Sequence, residues 1–559
     1  MAHKTPVKYI FVSGGVISGL GKGITTASLG LLLKAAGYRV TLVKFENYLN
    51  LDAGIINPIE HGDVFLCEDG AETDMDIGTY EKFLNQNMGR HNFVTMGQVY
   101  KTVIERERSF GYHGEDVEAI PHITDEIIGR IKQVVKKDGA EIALIELGGT
   151  AGEYQNVLYY EASRILTLKN PGDVVHVHVS YVPTPGHLGE PKTKPTQLSV
   201  RTLNSMGIQP DFIVTRSERP LDRRRKDRFA VFCNIPSDHI IASPDAGSVY
   251  EVPIQFEKQK FHQRVMRALG LSERKSDLAS WKAFLRKVRA PKKTSLTIAI
   301  VGKYFSTGEY HLRDSYAALF DALDHASWAL GVELNTQWID SGDITSQNIE
   351  KLIGRPDGIV VPIGWGIRGA EGMIEAADYA RKKKIPYLGL CYGMQLAVVS
   401  YARHVLRWSD ADTEENNQST KHSVVHVIPA QEELIKRRAY GGTMRLGAWD
   451  AVVKPDTIAY GLYDAYDGFI NKKKRLTSER HRHRYELNDA FAEALERKGL
   501  VISARSAVEG LAEIIELPRN IHPFYLGTQG HPEYKSRPLK PHPLFMGFLD
   551  AAKKQKKTA

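Results

Sequence analysis

Short, strongly apolar runs recur along this chain with helix-length segments between them: YIFV (9–12), VTLVKF (40–45), IALIEL (142–147), VVHVHVS (174–180) and DFIVT (211–215). Runs this short and this apolar read as strands covered on both faces, and strands separated by helices pair in parallel. A second series opens at LTIAIVGKY (296–304) and continues through GIVVPIG (358–364), PYLGLC (386–391) and FYLGTQGHPEY (524–534). Between the two, residues 273–295 (ERKSDLASWKAFLRKVRAPKKTS) are charged and hold no core strand, so they read as a helix and linker. A chain of 559 residues is too long for one core. The expectation is therefore two α/β domains, 1–272 and 296–559, joined by 273–295. The basic end, AAKKQKKTA, reads as a frayed, solvated tail.

Composition narrows the function. Lys and Arg outnumber Asp and Glu by 74 to 66, a mild excess that suits nucleotides without requiring nucleic acid. The run DRRRKDR (222–228) reads as a solvated helix or a triphosphate contact rather than a nucleic-acid surface. Three scattered cysteines, Cys67, Cys233 and Cys391, form no disulfide framework. No apolar run reaches 18 residues, and the N-terminus does not read as a signal peptide, so a cytoplasmic protein with no membrane partner is expected.

The first strand runs into VSGGVISGLGKGI (12–24), where glycines leave backbone N–H groups free to approach phosphate. The common cradle is G-x-x-x-x-G-K-[ST]. Here Gly15 comes one residue early before Gly21 and Lys22, and Gly23 replaces the hydroxyl residue that would bind magnesium. Carboxylates elsewhere must then supply that ligand. EDGAETDMD (68–76) packs five acids into nine residues, and Glu146 ends a buried-looking strand, where parallel sheets bind ligands.

SGGVISGLGKG, KFENYLNLDAG, EHGDVF, EDGAETDMD, IPHIT, IELGGTAG, GEPKTKPTQ and FCNIP follow one another as in the synthase domain of the CTP synthase family, which the chain resembles over nearly its whole length. The resemblance implies a P-loop-type, dethiobiotin-synthetase-like parallel-sheet domain. It implies ATP-dependent phosphorylation of O4 of UTP, followed by displacement with ammonia to give CTP. By the same resemblance Lys22 and Lys44 stabilise the transferring phosphoryl group, and Asp76 and Glu146 hold Mg²⁺. Ser18, Gly19, Leu20, Gly21, Gly23, Asp76, Glu153, Gln155, Lys192, Lys194, Gln197 and Arg228 serve the nucleotides, with Arg216 and Asp245 nearer ATP. GTP activation, a homotetramer and filaments are carried in the same way.

In the second domain, GLCYG (389–393) reads as a strand, a tight turn and a helix, with Cys391 at the turn. A helix N-terminus there favours a thiolate, and the N–H of Tyr392 can serve an oxyanion hole. His531 and Glu533 sit two residues apart in an extended segment, so the acid can orient the base. This half resembles class I glutamine amidotransferases and carries GTMRLG (442–447), ERHRHRYE (479–486) and RGAEGM (368–373). The resemblance makes Cys391 the nucleophile toward glutamine, with Gly364, Gln395, Glu415 and Arg484 positioning it. The Arg/His alternation at 479–486 points to carboxylate recognition rather than metal.

Several positions depart from the family pattern: Glu46-Asn47, Ile55-Ile56, Glu118, Glu153-Tyr154-Gln155 and Ile363, the last in place of a glycine beside the oxyanion strand. If Glu118 lines the base pocket it weakens plain UTP; if it points to solvent the pocket is conventional. Loss of a charge at Gln155 would weaken feedback by CTP. A divergent paralogue aminating a related nucleotide or carbonyl is the alternative. A non-catalytic regulatory or filament subunit fits less well, because the phosphate, metal and triad residues are all present.

Overall fold

The computed structural model describes residues 6–558 except 188, 308, 309 and 312. The chain forms two compact units, Met1–Leu51 with Asp76–Leu285, and Asp52–Met75 with Arg286–Ala559.

The first unit is built on a seven-stranded, wholly parallel sheet. Its strand order is Phe93–Thr95, Val40–Glu46, Ile142–Leu147, Lys8–Gly15, Val174–Tyr181, Phe212–Ser217, Ile240–Pro244. The five apolar runs are its central strands, and the two edge strands are too short or too mixed to stand out in the sequence. Helices cover both faces, which is why the strands carry no polar alternation. Chain order reverses at Lys8–Gly15, so the loop after it leaves the carboxyl edge at the sheet's switch point. The helical stretch of 273–295 is Ala279–Arg289, whose Trp281, Phe284 and Leu285 form a buried stripe at helical spacing.

The second unit carries a nine-stranded mixed sheet. Val332–Asp340, Thr294–Gly302, Gly358–Val361, Tyr387–Leu390 and Tyr525–Thr528 run parallel. Ala512–Leu517, Val501–Ser506, Arg445–Val453 and Leu476–His483 extend it antiparallel. The C-terminal residues are not a frayed tail. They are the last turns of helix Pro543–Thr558, held because Leu544, Phe545, Phe548, Leu549 and Ala552 bury one stripe. Among the described residues no helix is long and apolar enough to cross a membrane.

Candidate active sites

The glycine loop of the first unit uses positive φ at Val16, Gly19 and Gly21, and Gly21 begins helix Lys22–Ala35. A Cβ at Gly14 would lie 2.8 Å from Lys22 Cδ, so that glycine lets the lysine fold back over the strand. Lys22 Nζ donates to the Gly149 carbonyl at 2.8 Å. Sheet register does the rest. Lys44 pairs with Glu146 across one ladder, and Glu146 with Val12 across the next. Lys44 is buried; its ammonium meets Glu146 at 2.9 Å and Glu46 at 3.0 Å, and also pairs with Asp76. Burial opposes its charge, but Asp76, Glu146 and Glu46 together hold its pKa well above the usual lysine range. Burial lowers Lys22, and Lys44 adds to that. Burial raises Glu146, whose second oxygen accepts from the Tyr80 hydroxyl.

Gly23 explains the missing hydroxyl. A Cβ there would lie 2.2 Å from Asp76 Oδ1 and 3.6 Å from Glu146 Oε2. A carboxylate occupies the space that serine or threonine would need. Gly19, Leu20, Gly21, Arg216 and Asp245 line one cavity of about 300 Å³ beside this loop. Arg216 is fixed there by Ser243 O at 2.7 Å and Asp245 at 3.0 Å.

The residues assigned to the pyrimidine are more scattered. Ser18 and Lys194 are exposed, Lys192 pairs with Glu190, and Gln197 donates to Thr193 Oγ1 at 3.1 Å. Arg228 is exposed and lies over Phe232 of its own helix, whereas Arg225 reaches Pro191 O and Glu190. Glu153 accepts from Thr150 N–H at 2.8 Å and from Asn47 at 3.1 Å, so one departure supports another residue. Gln155 and Glu118 are exposed. Glu118 donates its backbone N–H to His122 Nδ1 at 3.0 Å.

In the second unit, Cys391 leaves strand Tyr387–Leu390 at φ 50°, ψ −100° and starts helix Tyr392–Tyr401. Such strain on a non-glycine residue costs roughly 1–3 kcal/mol and gathers at functional sites. The turn is tight: a Cβ at Gly393 would lie 2.0 Å from Val361 O. Gln529 Nε2 donates to Cys391 Sγ at 3.5 Å, and the thiol faces Arg482 O at 3.9 Å. His531 Nδ1 lies 2.7 Å from Glu533 Oε1, and both side chains are buried. Burial disfavours the imidazolium, but Glu533 and then Cys391 outweigh it and push His531 up to about 10. Asp63 is pushed up to about 7 by burial and by the nearby Glu533.

Strand Leu476–His483 sorts its side chains by the two-residue period. Arg480 bonds Glu68 at 3.1 Å and Leu66 O at 2.8 Å. Arg482 bonds Glu72 and Gly54 O, both at 2.7 Å. His481 and His483 face the other way, onto Arg445 at 3.1 and 3.2 Å. The acids of EDGAETDMD therefore divide: Asp76 serves the first unit, while Glu68 and Glu72 are anchors for buried arginines. Charge density alone could not separate these roles.

Glu415 and Arg484 line one cavity of about 380 Å³, together with Trp365 and Arg482. A carboxylate and guanidinium groups around one hollow suit a zwitterionic amino acid. Gln395 points elsewhere, donating to Tyr485 O at 2.8 Å and Gln529 at 3.2 Å, and so supports the residue that touches the thiol. Ile363 is buried in the apolar cluster that includes Phe305, Tyr316 and Cys391.

Residues 8–271 match the family model described as CTP synthase N-terminus, and residues 311–551 match glutamine amidotransferase class-I. The chain is 44% identical over 547 residues to a CTP synthase of Nostoc punctiforme, covering 98% of this chain and 96% of the relative. It is 45% identical over 550 residues to one of Saccharolobus solfataricus, covering 98% and 99%. The solved glutaminase domain of a Trypanosoma brucei CTPS, with acivicin bound, is 35% identical, with a TM-score of 0.41 over 46% of this chain and 94% of that one.

The chain belongs to the CTP synthase family. As a CTP synthase it is a glutamine-dependent ligase that aminates UTP, with ATP as co-substrate. For a CTP synthase of this kind the sequence exposes the two lysines, the strand-end acid and the triad. It hides Lys303, a buried lysine beneath the Gly364 segment. The only signal for it was a charged residue directly after the apolar run IAIVG.

Proposed function

We propose that the two constellations divide the reaction. The Lys22–Lys44–Asp76–Glu146 group carries phosphoryl transfer from ATP to UTP, and Cys391–His531–Glu533 releases ammonia from glutamine. The observation that carries this reading is the convergence of Asp76 and Glu146 on Lys44, beside a Gly23 that leaves them room. Phosphoryl transfer needs positioned cations more than covalent chemistry, and two partly desolvated ammonium groups meet that need. Asp76 and Glu146 offer hard oxygen donors on the loop side, so the residues present fit Mg²⁺. Bound there, the ion supplies charge neutralisation for phosphate oxygens. The cavity of Arg216 and Asp245 is the ATP side of the site.

At the second site Cys391 Sγ attacks the glutamine carboxamide carbon. His531 takes the thiol's proton and gives it to the departing nitrogen as the C–N bond breaks, ammonia leaves, and a thioester remains for water to hydrolyse. Glu415 takes the α-ammonium and Arg484 the α-carboxylate. Tyr392 N–H and Gly364 N–H receive the oxyanion. A side chain at Gly364 would meet Tyr392 Cδ1 at 3.1 Å, which supports that pairing. GTP activation, tetramers and filaments, and a cytoplasmic location belong to this reading by resemblance. The exposure of Glu118 favours a conventional pyrimidine pocket.

The test is metal dependence. Asp76→Asn should raise the Mg²⁺ needed for half-maximal ammonia-driven CTP formation and slow the step by several kcal/mol of barrier, roughly the worth of metal charge stabilisation. Wild-type magnesium dependence would refute the assignment.

A further inference from the structure

Lys303 follows strand Thr294–Gly302 and is only 1% exposed. A lysine that merely ended a strand would reach for solvent, because a buried ammonium is costly unless its protons find acceptors. This one turns inward. Its Nζ donates to the carbonyl oxygens of both Trp365 and Gly366 and sits 4.9 Å from the centroid of the Tyr392 ring. Arg368 closes the arrangement by donating to Lys303 O.

The segment above it, 363–366, is tied at nearly every polar atom. Tyr316 donates its hydroxyl to Ile363 O at 3.4 Å, and Trp365 N–H donates to the Tyr304 hydroxyl at 3.2 Å. Gly366 N–H donates to Glu415 at 2.7 Å, and the Tyr392 hydroxyl donates to Gly366 O at 3.0 Å. Among the described residues, Gly364 N–H has no such bond. A Cβ on Gly364 would lie 2.6 Å from Lys303 Cδ, so the peptide rests directly on the lysine's alkyl chain. Trp365 and Glu415 of this arrangement line the amino-acid cavity, and Lys303 does not. Tyr316 draws the carbonyl of the Ile363–Gly364 peptide inward, and Lys303 does the same for the carbonyls of Trp365 and Gly366.

We propose that Lys303 is a positioning residue for glutamine hydrolysis: by holding the Trp365 and Gly366 carbonyls inward and packing its alkyl chain under Gly364, it fixes the segment in which Tyr316 draws the Ile363 carbonyl inward, and so keeps the Gly364 N–H turned outward beside Tyr392 as an oxyanion donor. The proposal rests on the glutaminase reading above. Its effect must therefore appear only where negative charge develops on a carbonyl oxygen.

Two reactions of Cys391 separate the possibilities. Hydrolysis of glutamine passes through an oxyanion, whereas alkylation of the thiol by iodoacetamide is a displacement at carbon that does not. In the full-length enzyme, Lys303→Met should lower kcat for glutamine about 100-fold, the scale of a misplaced or lost oxyanion donor, with KM changed far less. Its rate of iodoacetamide alkylation at Cys391 should stay within twofold of wild type. Tyr304→Phe, which loosens the same segment without touching a buried charge, should give the same split at about tenfold and serves if Lys303→Met does not fold. Equal losses in hydrolysis and alkylation, or a kcat within threefold of wild type in the variant that folds, would overturn the proposal. A wild-type enzyme that neither hydrolyses glutamine nor alkylates at Cys391 would instead overturn the glutaminase reading itself.

Discussion

A hydroxyl would ordinarily follow the lysine of a phosphate loop, and at position 23 a glycine stands because Asp76 needs the room. Gly23→Ser restores the usual hydroxyl after the lysine and should fail. The new side chain would have to displace the carboxylate, and ammonia-driven synthesis should fall at least 100-fold, as for other small misplacements of catalytic groups. A serine variant with near-wild-type turnover would show that the carboxylate is not required where it sits. The sequence made Asp76 and Glu146 candidates, but it could not show that both lean on Lys44, because that contact is set by ladder register. His531 gives a second residue-scale expectation. Its pKa is raised to about 10, so its share of stability is present below the ordinary imidazole value and is lost as pH climbs through about 10. Glutaminase activity that needs its proton should fall on the same alkaline side. Glu533→Gln removes the first of the interactions that raise it, so the alkaline limb should move to lower pH. An unmoved limb in a pH–rate profile would mean that another group sets it.

Strand Leu476–His483 shows what a motif reveals at the scale of an element and what it withholds. The alternation of arginine with histidine was plain in ERHRHRYE, and two of its arginines, Arg480 and Arg482, meet carboxylates of the chain itself. Their partners were not legible. Arg480 and Arg482 hold Glu68 and Glu72, more than 400 positions away in the chain, and Arg482 lines the amino-acid cavity together with Arg484. The Glu72–Arg482 pair is almost wholly buried, at 2% and 4% side-chain exposure. Breaking a buried pair from one side leaves an uncompensated charge and costs about 3–5 kcal/mol. Glu72→Gln should therefore unfold at markedly lower denaturant concentration than wild type. A loss below about 1 kcal/mol in chemical denaturation would show that Arg482 finds another partner.

For the molecule as a whole, hydrophobic patterning was enough to announce two α/β cores, one on a parallel sheet and one on a mixed sheet whose parallel strands carry the apolar runs, because strands buried on both faces leave such runs unbroken. The same reasoning missed the edge strands, whose pairing comes from neighbours rather than from their own composition. Segment 52–75 lies inside the first domain as the sequence draws it and inside the family match over 8–271, yet it packs with the second compact unit. The C-terminal helix was hidden because its lysines mask a buried stripe. The central claim is that one chain runs two separable chemistries, ammonia release at Cys391 and phosphoryl transfer at Lys22 and Lys44. The most direct measurement is CTP formation from UTP and ATP by Cys391→Ala, with glutamine and with ammonium as alternative nitrogen sources. Product formation should vanish with glutamine and stay near the wild-type rate with ammonium; parallel loss with both sources would contradict the account.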